Sequence, residues 1–204
     1  MSVKIAVMGG TFNPPHLGHL LGARRVISAY DPDLFLMIPT GIPPHKIIPD
    51  GSPCDCDRLN MVKLMVRDDP KITISDMEMK RKGKSYTVDT LKSLKEEYKN
   101  ASIDLIMGAD MLYMIEKWHH FEELFGLCRL VVIGRKENQT EELKKACLHI
   151  QKRYGADITL LEMEPFAISS SQIREKIKNE EDVGQYLHPD VYRYIRENNL
   201  YLED

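Results

Sequence analysis

Two histidines near the start of the chain have a spacing suited to binding a phosphate group. An apolar run at residues 3–8 ends at Gly9 and Gly10, and His16 and His19 follow within the block GGTFNPPHLGH. Three residues apart on the first turn of a helix, both imidazoles would face the same point. Glycine lets a backbone approach a ligand closely, and a helix N-terminus attracts anions. The block therefore predicts a phosphate site.

These two histidines also have other interpretations. A bare His-x-x-His pair is common on protein surfaces, and a zinc site would need a third ligand nearby, which the sequence does not offer. The block contains neither G-x-G-x-x-G nor G-K-[ST], which disfavours an ordinary dinucleotide-binding dehydrogenase and a P-loop kinase. The significance of the pair thus depends on the glycines and the proline-rich turn around it.

A second polar segment, ISSSQIR, occupies residues 168–174. Its serines can cap the helix that follows and donate hydrogen bonds to a phosphate, and Arg174 lies one turn further on at the same helix end. A plain helix cap would explain this segment if it stood alone. Together with the first block, it predicts a shared anion site.

The elements that must position these residues form an alternating pattern. Short runs rich in Ile, Val and Leu alternate with amphipathic stretches, which is typical of βαβ units around a parallel sheet. We expect strands at 3–8, 34–38, 72–75, 103–107, 130–133 and 158–161, and helices at 17–29, 57–66, 87–98, 111–125 (broken), 141–154, 170–178 and 189–198. The predicted fold class is α/β, a doubly wound parallel sheet with C-terminal helices, in one domain spanning residues 1–204. The long irregular segment 39–55 is a candidate lid.

The composition excludes several classes of protein. The chain has 204 residues, of which 43% are hydrophobic and 29% charged, unlike a disordered chain. Its formal net charge of -3 provides no global positive field for nucleic acid. No apolar stretch approaches the roughly 18 residues of a membrane span, and no secretion signal is evident. We therefore expect a cytoplasmic protein whose four cysteines are reduced thiols.

Taken together, GGTFNPPHLGH and ISSSQIR resemble the H-x-G-H and I-S-S-S/T-x-x-R motifs of the nucleotidyltransferase superfamily, whose fold is Rossmann-like. Within it, the chain is similar to bacterial nicotinate-nucleotide adenylyltransferases over nearly its whole length. The matching pieces are PPHK at 43–46, RLNM at 58–61, SYTVDTL at 85–91, GAD at 108–110, KWH at 117–119 and GR at 134–135.

The resemblance implies a reaction in which AMP is transferred from ATP to nicotinate mononucleotide, giving deamido-NAD and pyrophosphate. Mg²⁺ would accompany ATP, and no residue is assigned as a metal ligand. The implied partners are these two small molecules, without nucleic acid or membrane, and a homo-oligomer is left open. Two alternatives remain: the same chemistry on another acceptor such as phosphopantetheine, and a nucleotide-binding module without turnover.

The resemblance also implies site residues. Those that would neutralise phosphate charge during catalysis are His16, His19, Lys46 and Arg174. Those that would bind ATP are Gly9, Gly10, Thr11, Phe12, His16, His19, Gly108, Asp110, Arg135, Ile168, Ser169, Ser170, Ser171 and Arg174. Those that would bind nicotinate mononucleotide are Asn13, His45, Lys46, Ser85, Tyr86, Thr87, Trp118 and His119.

Several of these residues have a purely structural alternative or depart from the family pattern. Asp110 and Thr87 each stand where a helix cap would, and an isolated tryptophan such as Trp118 is usually a core residue. The chain has Asn13 where many of the resembled enzymes carry Asp, and His119 where Tyr is common.

Overall fold

Six parallel strands form the sheet in the computed structural model, which describes residues 2–44, 47–135, 140–164, 166 and 168–202. The strands are β1 (Lys4–Gly10), β2 (Leu34–Pro39), β3 (Ile72–Ile74), β4 (Ser102–Gly108), β5 (Arg129–Arg135) and β6 (Ile158–Met163). Their order across the sheet is β3-β2-β1-β4-β5-β6. All six predicted strands and the doubly wound parallel arrangement are confirmed.

Helices follow the strands along the chain. They are α1 (Leu17–Tyr30), α2 (Asp55–Val66), α3 (Met77–Lys80), α4 (Thr87–Glu97), α5 (Ala109–Tyr113), α6 (Phe121–Leu127), α7 (Thr140–Tyr154), α8 (Ser170–Lys178) and α9 (Pro189–Glu197), with 3₁₀ turns at Ile115–Lys117 and Gly184–Tyr186. The predicted broken helix is α5, a 3₁₀ turn and α6. The sequence did not predict α3, which is too short to show helical periodicity. Within the described ranges, no helix has the length and apolar character needed to cross a membrane.

Both faces of the sheet are buried. Along β1, Ala6 and Met8 pack in the layer formed with α1, α2, α8 and α9, whereas Ile5 and Val7 pack in the layer formed with α4, α6 and α7. Alternate side chains of a strand point to opposite faces, so an apolar run of this kind fits a strand covered on both sides. This is why the strands read as continuous runs of Ile, Val, Leu and Met.

The position of the site follows from the strand order. β1 pairs with β2 on one side and with β4 on the other, so the chain reverses its direction of winding between β1 and β4. In open parallel sheets, ligands bind in the crevice at such a point, beyond the carboxyl ends of the strands. β1 ends at Gly9 and Gly10, and β4 ends at Gly108, so both strands finish in residues without side chains.

The cysteines depart in part from the expectation of four reduced thiols. Cys54 and Cys56 form a disulfide, with their Cα atoms 5.3 Å apart. Cys54 is the N-cap of α2, and the bend of the chain into the helix brings the two Cα atoms within the range a disulfide requires. The prediction of reduced thiols is wrong for this pair. Cys128 and Cys147 are free thiols, as predicted, and both are buried.

Candidate functional site

A cleft of about 980 Å³ opens at the carboxyl ends of β1 and β4. Both motif segments reach it, together with the start of α4 and the 3₁₀ turn before α6. The predicted site residues that line the cleft are Gly9, Gly10, Thr11, Phe12, Asn13, His16, His19, Ser85, Tyr86, Thr87, Gly108, Asp110, Trp118, His119, Ile168 and Ser170. The structure thus brings together residues that lie far apart in the sequence.

Three predicted site residues cannot be placed in this cleft from the described part of the chain. His45 and Lys46, in the loop after β2, lie outside the described residues. Arg135 ends β5, where it is the register partner of Met163 in β6, and its side chain lies outside the described part. Their roles stay predictions.

His16 and His19 lie side by side at the start of α1, with ring centroids 3.8 Å apart. The backbone N–H of His16 donates to Nδ1 of His19 at 3.2 Å, so the ring proton of His19 belongs on Nε2. His16 is 9% exposed, and its buried Nδ1 has no hydrogen-bond partner among the described residues. Nδ1 of His16 and Nε2 of His19 are therefore available to hydrogen-bond to a ligand.

Burial keeps both histidines neutral. It lowers the pKa of His16 to about 4. Burial, and after it the neighbouring His16, lowers the pKa of His19 well below its usual value, against a smaller opposing effect of the backbone hydrogen bond. At neutral pH two uncharged imidazoles can lie in contact without repulsion. A bound polyanion would favour the charged form of each ring and raise both pKa values.

Close packing explains the glycine between the two histidines. A Cβ at Gly18 would lie 2.8 Å from the ring of Phe166 and 2.9 Å from Nδ1 of His16. Phe166 stacks on His16 at 5.9 Å between centroids, and Phe12 meets the ring of His19 edge-on at 5.0 Å. These aromatic contacts leave no room for a side chain at position 18. Phe166 lies outside both motifs, and nothing in the sequence marked it as a site residue.

The second motif is fastened to the loop that follows β1. Arg174 donates from Nη1 to the carbonyl oxygen of Asn13 at 2.6 Å, and the Ser170 hydroxyl donates to the carbonyl oxygen of Pro14 at 2.9 Å. The side chain of Asn13 donates from Nδ2 to Ser52 Oγ at 2.9 Å, while its Oδ1 is buried without a partner in the described part of the chain. The start of α8 and the loop are thus held as one unit.

The flanking serines of that motif and Arg174 do not line the cleft wall. Ser169 is the N-cap of α8, and its hydroxyl accepts the backbone N–H of Gln172 at 3.3 Å. Ser171 is exposed and accepts a hydrogen bond from Nη2 of Arg174 at 3.3 Å. The helix-cap interpretation therefore holds for Ser169, whereas Ser170 borders the cleft.

The end of β4 contributes a carboxylate to the cleft. Gly108 is the N-cap of α5, so Asp110 lies inside the first turn and is not the cap. A Cβ at Gly108 would lie 2.7 Å from Oδ1 of Asp110, because the carboxylate folds back over the end of the strand. The capping alternative for Asp110 is therefore wrong.

Aromatic side chains form the other end of the cleft. The rings of Tyr86 and His119 lie 4.2 Å apart, and the half-buried Trp118 packs against the core while it borders the cleft. Thr87 is the first residue of α4 and Tyr86 its N-cap, so the capping alternative for Thr87 is also wrong.

Further polar residues that were not predicted as site residues also border the cleft, namely Thr40, Glu78, Thr90, Tyr113 and Lys117. Thr90 lies within SYTVDTL, a segment that carried the resemblance and so offered a signal. Glu78 lies on the short α3, and no pattern marked it.

A family model described as cytidylyltransferase-like matches residues 7–176 of the chain, a span that contains both motifs. The chain belongs to this family. Its cytidylyltransferase-like segment extends from β1 into α8 and so includes the residues that form both ends of the cleft.

Several proteins that are similar to this chain over nearly its full length carry the same name. A protein of Caldicellulosiruptor bescii, 36% identical over 201 residues that cover 98% of this chain and 99% of the relative, is named a probable nicotinate-nucleotide adenylyltransferase. A Clostridium botulinum protein of the same name is 36% identical over 200 residues, with 98% and 99% coverage. The Plasmodium falciparum nicotinic acid mononucleotide adenylyltransferase complexed with NaAD matches the fold with a TM-score of 0.80, at 22% identity and 98% and 97% coverage.

Proposed function

We propose that this protein is a nicotinate-nucleotide adenylyltransferase, which transfers AMP from ATP to nicotinate mononucleotide and releases deamido-NAD and pyrophosphate. The observation that carries the proposal is the meeting of both motif segments and an aromatic pocket in one cleft at the ends of β1 and β4. The shared name of relatives that align over 98% of the chain supports the same reaction.

The chemistry needs little more than positioning and charge neutralisation. The 5′-phosphate of the mononucleotide is already an anion, so it can attack the α-phosphorus of ATP without a base on the protein. A new phosphorus–oxygen bond forms, the bond to the β-phosphate oxygen breaks, and pyrophosphate leaves. Donors fixed before the reaction stabilise the charge that develops on the phosphoryl oxygens and the leaving group.

The histidine pair would supply those donors. Nε2 of His19 carries its ring proton, and His16 has a nitrogen without a partner among the described residues. As the triphosphate approaches, its charge would raise the pKa of each ring and favour proton uptake by His16, whose Nδ1 is unpartnered within the described residues. Arg174, which now holds the carbonyl oxygen of Asn13, would add a fixed positive charge behind the loop. Lys46, in the loop after β2, would add a further positive charge.

The remaining ATP contacts would come from strand ends. Gly9, Gly10, Thr11 and Phe12 would offer backbone groups at the end of β1, with Ile168 and Ser170 beside them. Ser169 and Ser171, which do not line the cleft, would stand behind them at the start of α8. Asp110 would accept hydrogen bonds from ribose hydroxyls, since a carboxylate only accepts them. Arg135 would contact the nucleotide from the end of β5.

Mg²⁺ would enter with ATP. This ion keeps several waters and binds proteins through one or two oxygen ligands in addition to substrate phosphates. The buried Oδ1 of Asn13, unpartnered within the described residues, is an oxygen that could bind Mg²⁺ or accept a hydrogen bond from one of its waters. The donor set at the cleft therefore fits a metal held largely by the substrate. When bound, Mg²⁺ would neutralise charge on the phosphates.

The aromatic end would bind the pyridine ring. Trp118 would stack on the ring, and Thr87 together with the backbone at His119 would donate to its carboxylate. Ser85 and Tyr86 would shape the pocket, and Asn13, His45 and Lys46 would contact the phosphate of the mononucleotide. A carboxylate needs donors only, whereas an amide also needs an acceptor, so this arrangement favours nicotinate over nicotinamide.

Pyrophosphate release from ATP and Mg²⁺ tests the proposal, with nicotinate mononucleotide, nicotinamide mononucleotide and phosphopantetheine as parallel acceptors. We expect strong release with the nicotinate compound and weak release with the other two. Equal release with nicotinamide mononucleotide would contradict the preference for nicotinate. Release with phosphopantetheine alone would show that the acceptor is phosphopantetheine. ATP binding without release under any acceptor would favour a binding module.

Three further expectations accompany this function. One domain would span residues 1–204, the partners would be small molecules rather than nucleic acid, and the enzyme would act in the cytoplasm. None of these follows from the cleft geometry, and each stays a prediction.

A further inference from the structure

A buried carboxylate stands at the aromatic end of the cleft. Glu78 is 6% exposed, borders the cleft, and lies on the four-residue helix α3. Burial raises the pKa of this carboxyl, and hydrogen bonds from Thr90 and Thr40 oppose the shift. Burial of a carboxylate costs free energy, and hydrogen bonds from neighbouring donors offset part of that cost.

The hydrogen bonds of Glu78 join separate segments of the cleft wall. The Thr90 hydroxyl, on α4, donates to Oε1 of Glu78 at 2.7 Å. Arg81 donates from Nη1 to the oxygen of the same hydroxyl at 3.0 Å, which orients its proton toward the carboxylate. Thr40, directly after β2, also lies close enough to Glu78 to lower the pKa of its carboxyl.

Backbone contacts of Glu78 also join α3 to the segments after β2 and before α4. The carbonyl oxygen of Glu78 accepts the Ser85 hydroxyl at 3.4 Å, and a Cβ at Gly41 would lie only 2.6 Å from that oxygen. The N–H of Ser85 donates to the carbonyl oxygen of Ile42 at 2.8 Å. The segments after β2 and before α4 are therefore closely packed against α3, and no side chain would fit at position 41.

These contacts also reach the end of β1. The N–H of Thr40 donates to the carbonyl oxygen of Gly10 at 2.8 Å. Glu78 thus lies between the strand end that would hold ATP and the start of α4 that would hold the pyridine nucleotide. Its side chain bonds directly to Thr90, three residues after Thr87, on the first turn of that helix.

We propose that Glu78 is a positioning residue that holds the start of α4 and the segment after β2 in the geometry needed to bind nicotinate mononucleotide. This inference rests on the proposed function. Loss of the carboxylate would leave the Thr90 hydroxyl only its longer contact of 3.4 Å to the carbonyl oxygen of Tyr86 and allow Thr87 and Tyr86 to shift. The network meets the ATP end through the backbone bond from Thr40 to the carbonyl oxygen of Gly10, which does not involve the Glu78 side chain, so the affinity for ATP should be kept.

Binding measurements on the full-length protein test this inference without requiring turnover. Titration calorimetry would give the dissociation constants of nicotinate mononucleotide and of ATP with Mg²⁺ for the wild type, Glu78→Ala and Glu78→Gln. Loss of a buried hydrogen bond to a carboxylate is costly enough to predict roughly a 10-fold or greater loss of mononucleotide affinity in Glu78→Ala. ATP affinity should change by less than about 2-fold, and Glu78→Gln should recover most of the loss because its amide oxygen can still accept from Thr90.

Two further variants separate positioning from general damage. Thr90→Val keeps the shape but removes the hydroxyl, so it should weaken mononucleotide binding in the same selective way if Glu78→Ala does not fold. Glu96→Ala, at an exposed position of the same helix, should alter neither constant. Equal losses for both ligands, or unchanged mononucleotide binding in Glu78→Ala and Thr90→Val, would overturn the inference. Failure of the wild type to bind the mononucleotide would overturn the proposed function, and this inference with it.

Discussion

The two ends of the cleft place their polar groups on different kinds of support. His16 and His19 lie where the central strand β1 passes through a short loop into α1, and that loop is fastened to α8 by Arg174. Trp118 and His119 lie after a 3₁₀ turn, facing the start of α4, and nearby Glu78 belongs to a helix of four residues. The first end is thus built on long elements of the core, and the second on short segments at its edge.

This difference indicates that one end binds phosphate groups and the other recognises the acceptor. Phosphate groups are common to all nucleoside triphosphates, and binding them requires donors at fixed places, which strand ends and a helix N-terminus provide. Recognition of one acceptor requires a shaped pocket, and the short segments beyond β3 and β4 can provide that shape without disturbing the sheet. Substitutions at the two ends should therefore affect different kinetic constants.

The largest effect should come from His19→Ala. Loss of one preorganised donor to a transition-state charge lowers turnover by about 10²–10³. Steady-state pyrophosphate release measures kcat, and His149→Ala, at an exposed position of α7, serves as the matched control. Turnover of His19→Ala close to that of the control would contradict the role given to the phosphate end.

Acidification should also act through the phosphate end. The pKa of His16 is about 4 in the folded protein and near 6.5 when unfolded, so the unfolded chain takes up its proton first as pH falls. The histidine therefore costs no stability above pH 6.5 and lowers the free energy of unfolding progressively between pH 6.5 and 4, by about 2 kcal/mol at pH 5. His19 acts in the same direction.

Denaturant unfolding at pH 7 and pH 5 checks this effect. His16→Gln, which cannot take up a proton, should lose about 2 kcal/mol less than the wild type over that interval. An equal loss in both proteins would mean that His16 is not held neutral by burial.

Trp118→Ala should affect the other end of the cleft. Stacking of a ring on an aromatic side chain contributes about 1–3 kcal/mol, which corresponds to a rise of roughly 5- to 150-fold in the KM for nicotinate mononucleotide. The KM for ATP should stay within about 2-fold, and Trp118→Phe should retain much of the binding. A rise in the KM for ATP of the same size would contradict the separation of the two ends.

The smallest effect should come from reduction of the Cys54–Cys56 disulfide. Arg58, one turn into α2, donates to the carbonyl oxygen of Thr11 at 2.7 Å and to Asp55 at 2.6 Å, and these bonds do not involve sulfur. We expect the affinity for ATP to change by less than about 2-fold on reduction. A larger change would show that the phosphate end depends on the disulfide.

Thiol labelling of the native protein shows whether the reduction is complete. Two cysteines should react after mild reduction and none before it. Cys128 and Cys147 should stay unlabelled because both are buried, and burial raises the pKa of Cys128 to about 12 and also raises that of Cys147.

The sequence predicted the strands and the place of the cleft because both depend on strong local patterns. Strands buried on two faces read as continuous apolar runs, and β1 ends at a pair of glycines followed by histidines with helical spacing. The motif at 168–174 predicted its own helix cap, which the structure confirms at Ser169. Both motif segments meet in the cleft as the resemblance implied.

The contacts made by single side chains could not be predicted in this way. Nothing in the sequence indicates that Arg174 would bond to the backbone of Asn13, because that contact depends on how α8 approaches the loop. Phe166 and Glu78 lie outside any periodic pattern, and their positions result from packing between distant segments. The disulfide depends on the bend at the start of α2, which spacing alone does not specify.

The bonds from α8 to the loop after β1 have a consequence for the order of events during synthesis. Ser170 and Arg174 contact Pro14 and Asn13, which leave the ribosome 156 and 161 residues earlier. A nascent chain that has formed β1 and α1 still lacks the segment that fastens its loop. The capacity to bind ATP tightly should therefore appear late in translation, when α8 emerges and docks, rather than when the histidines themselves are made.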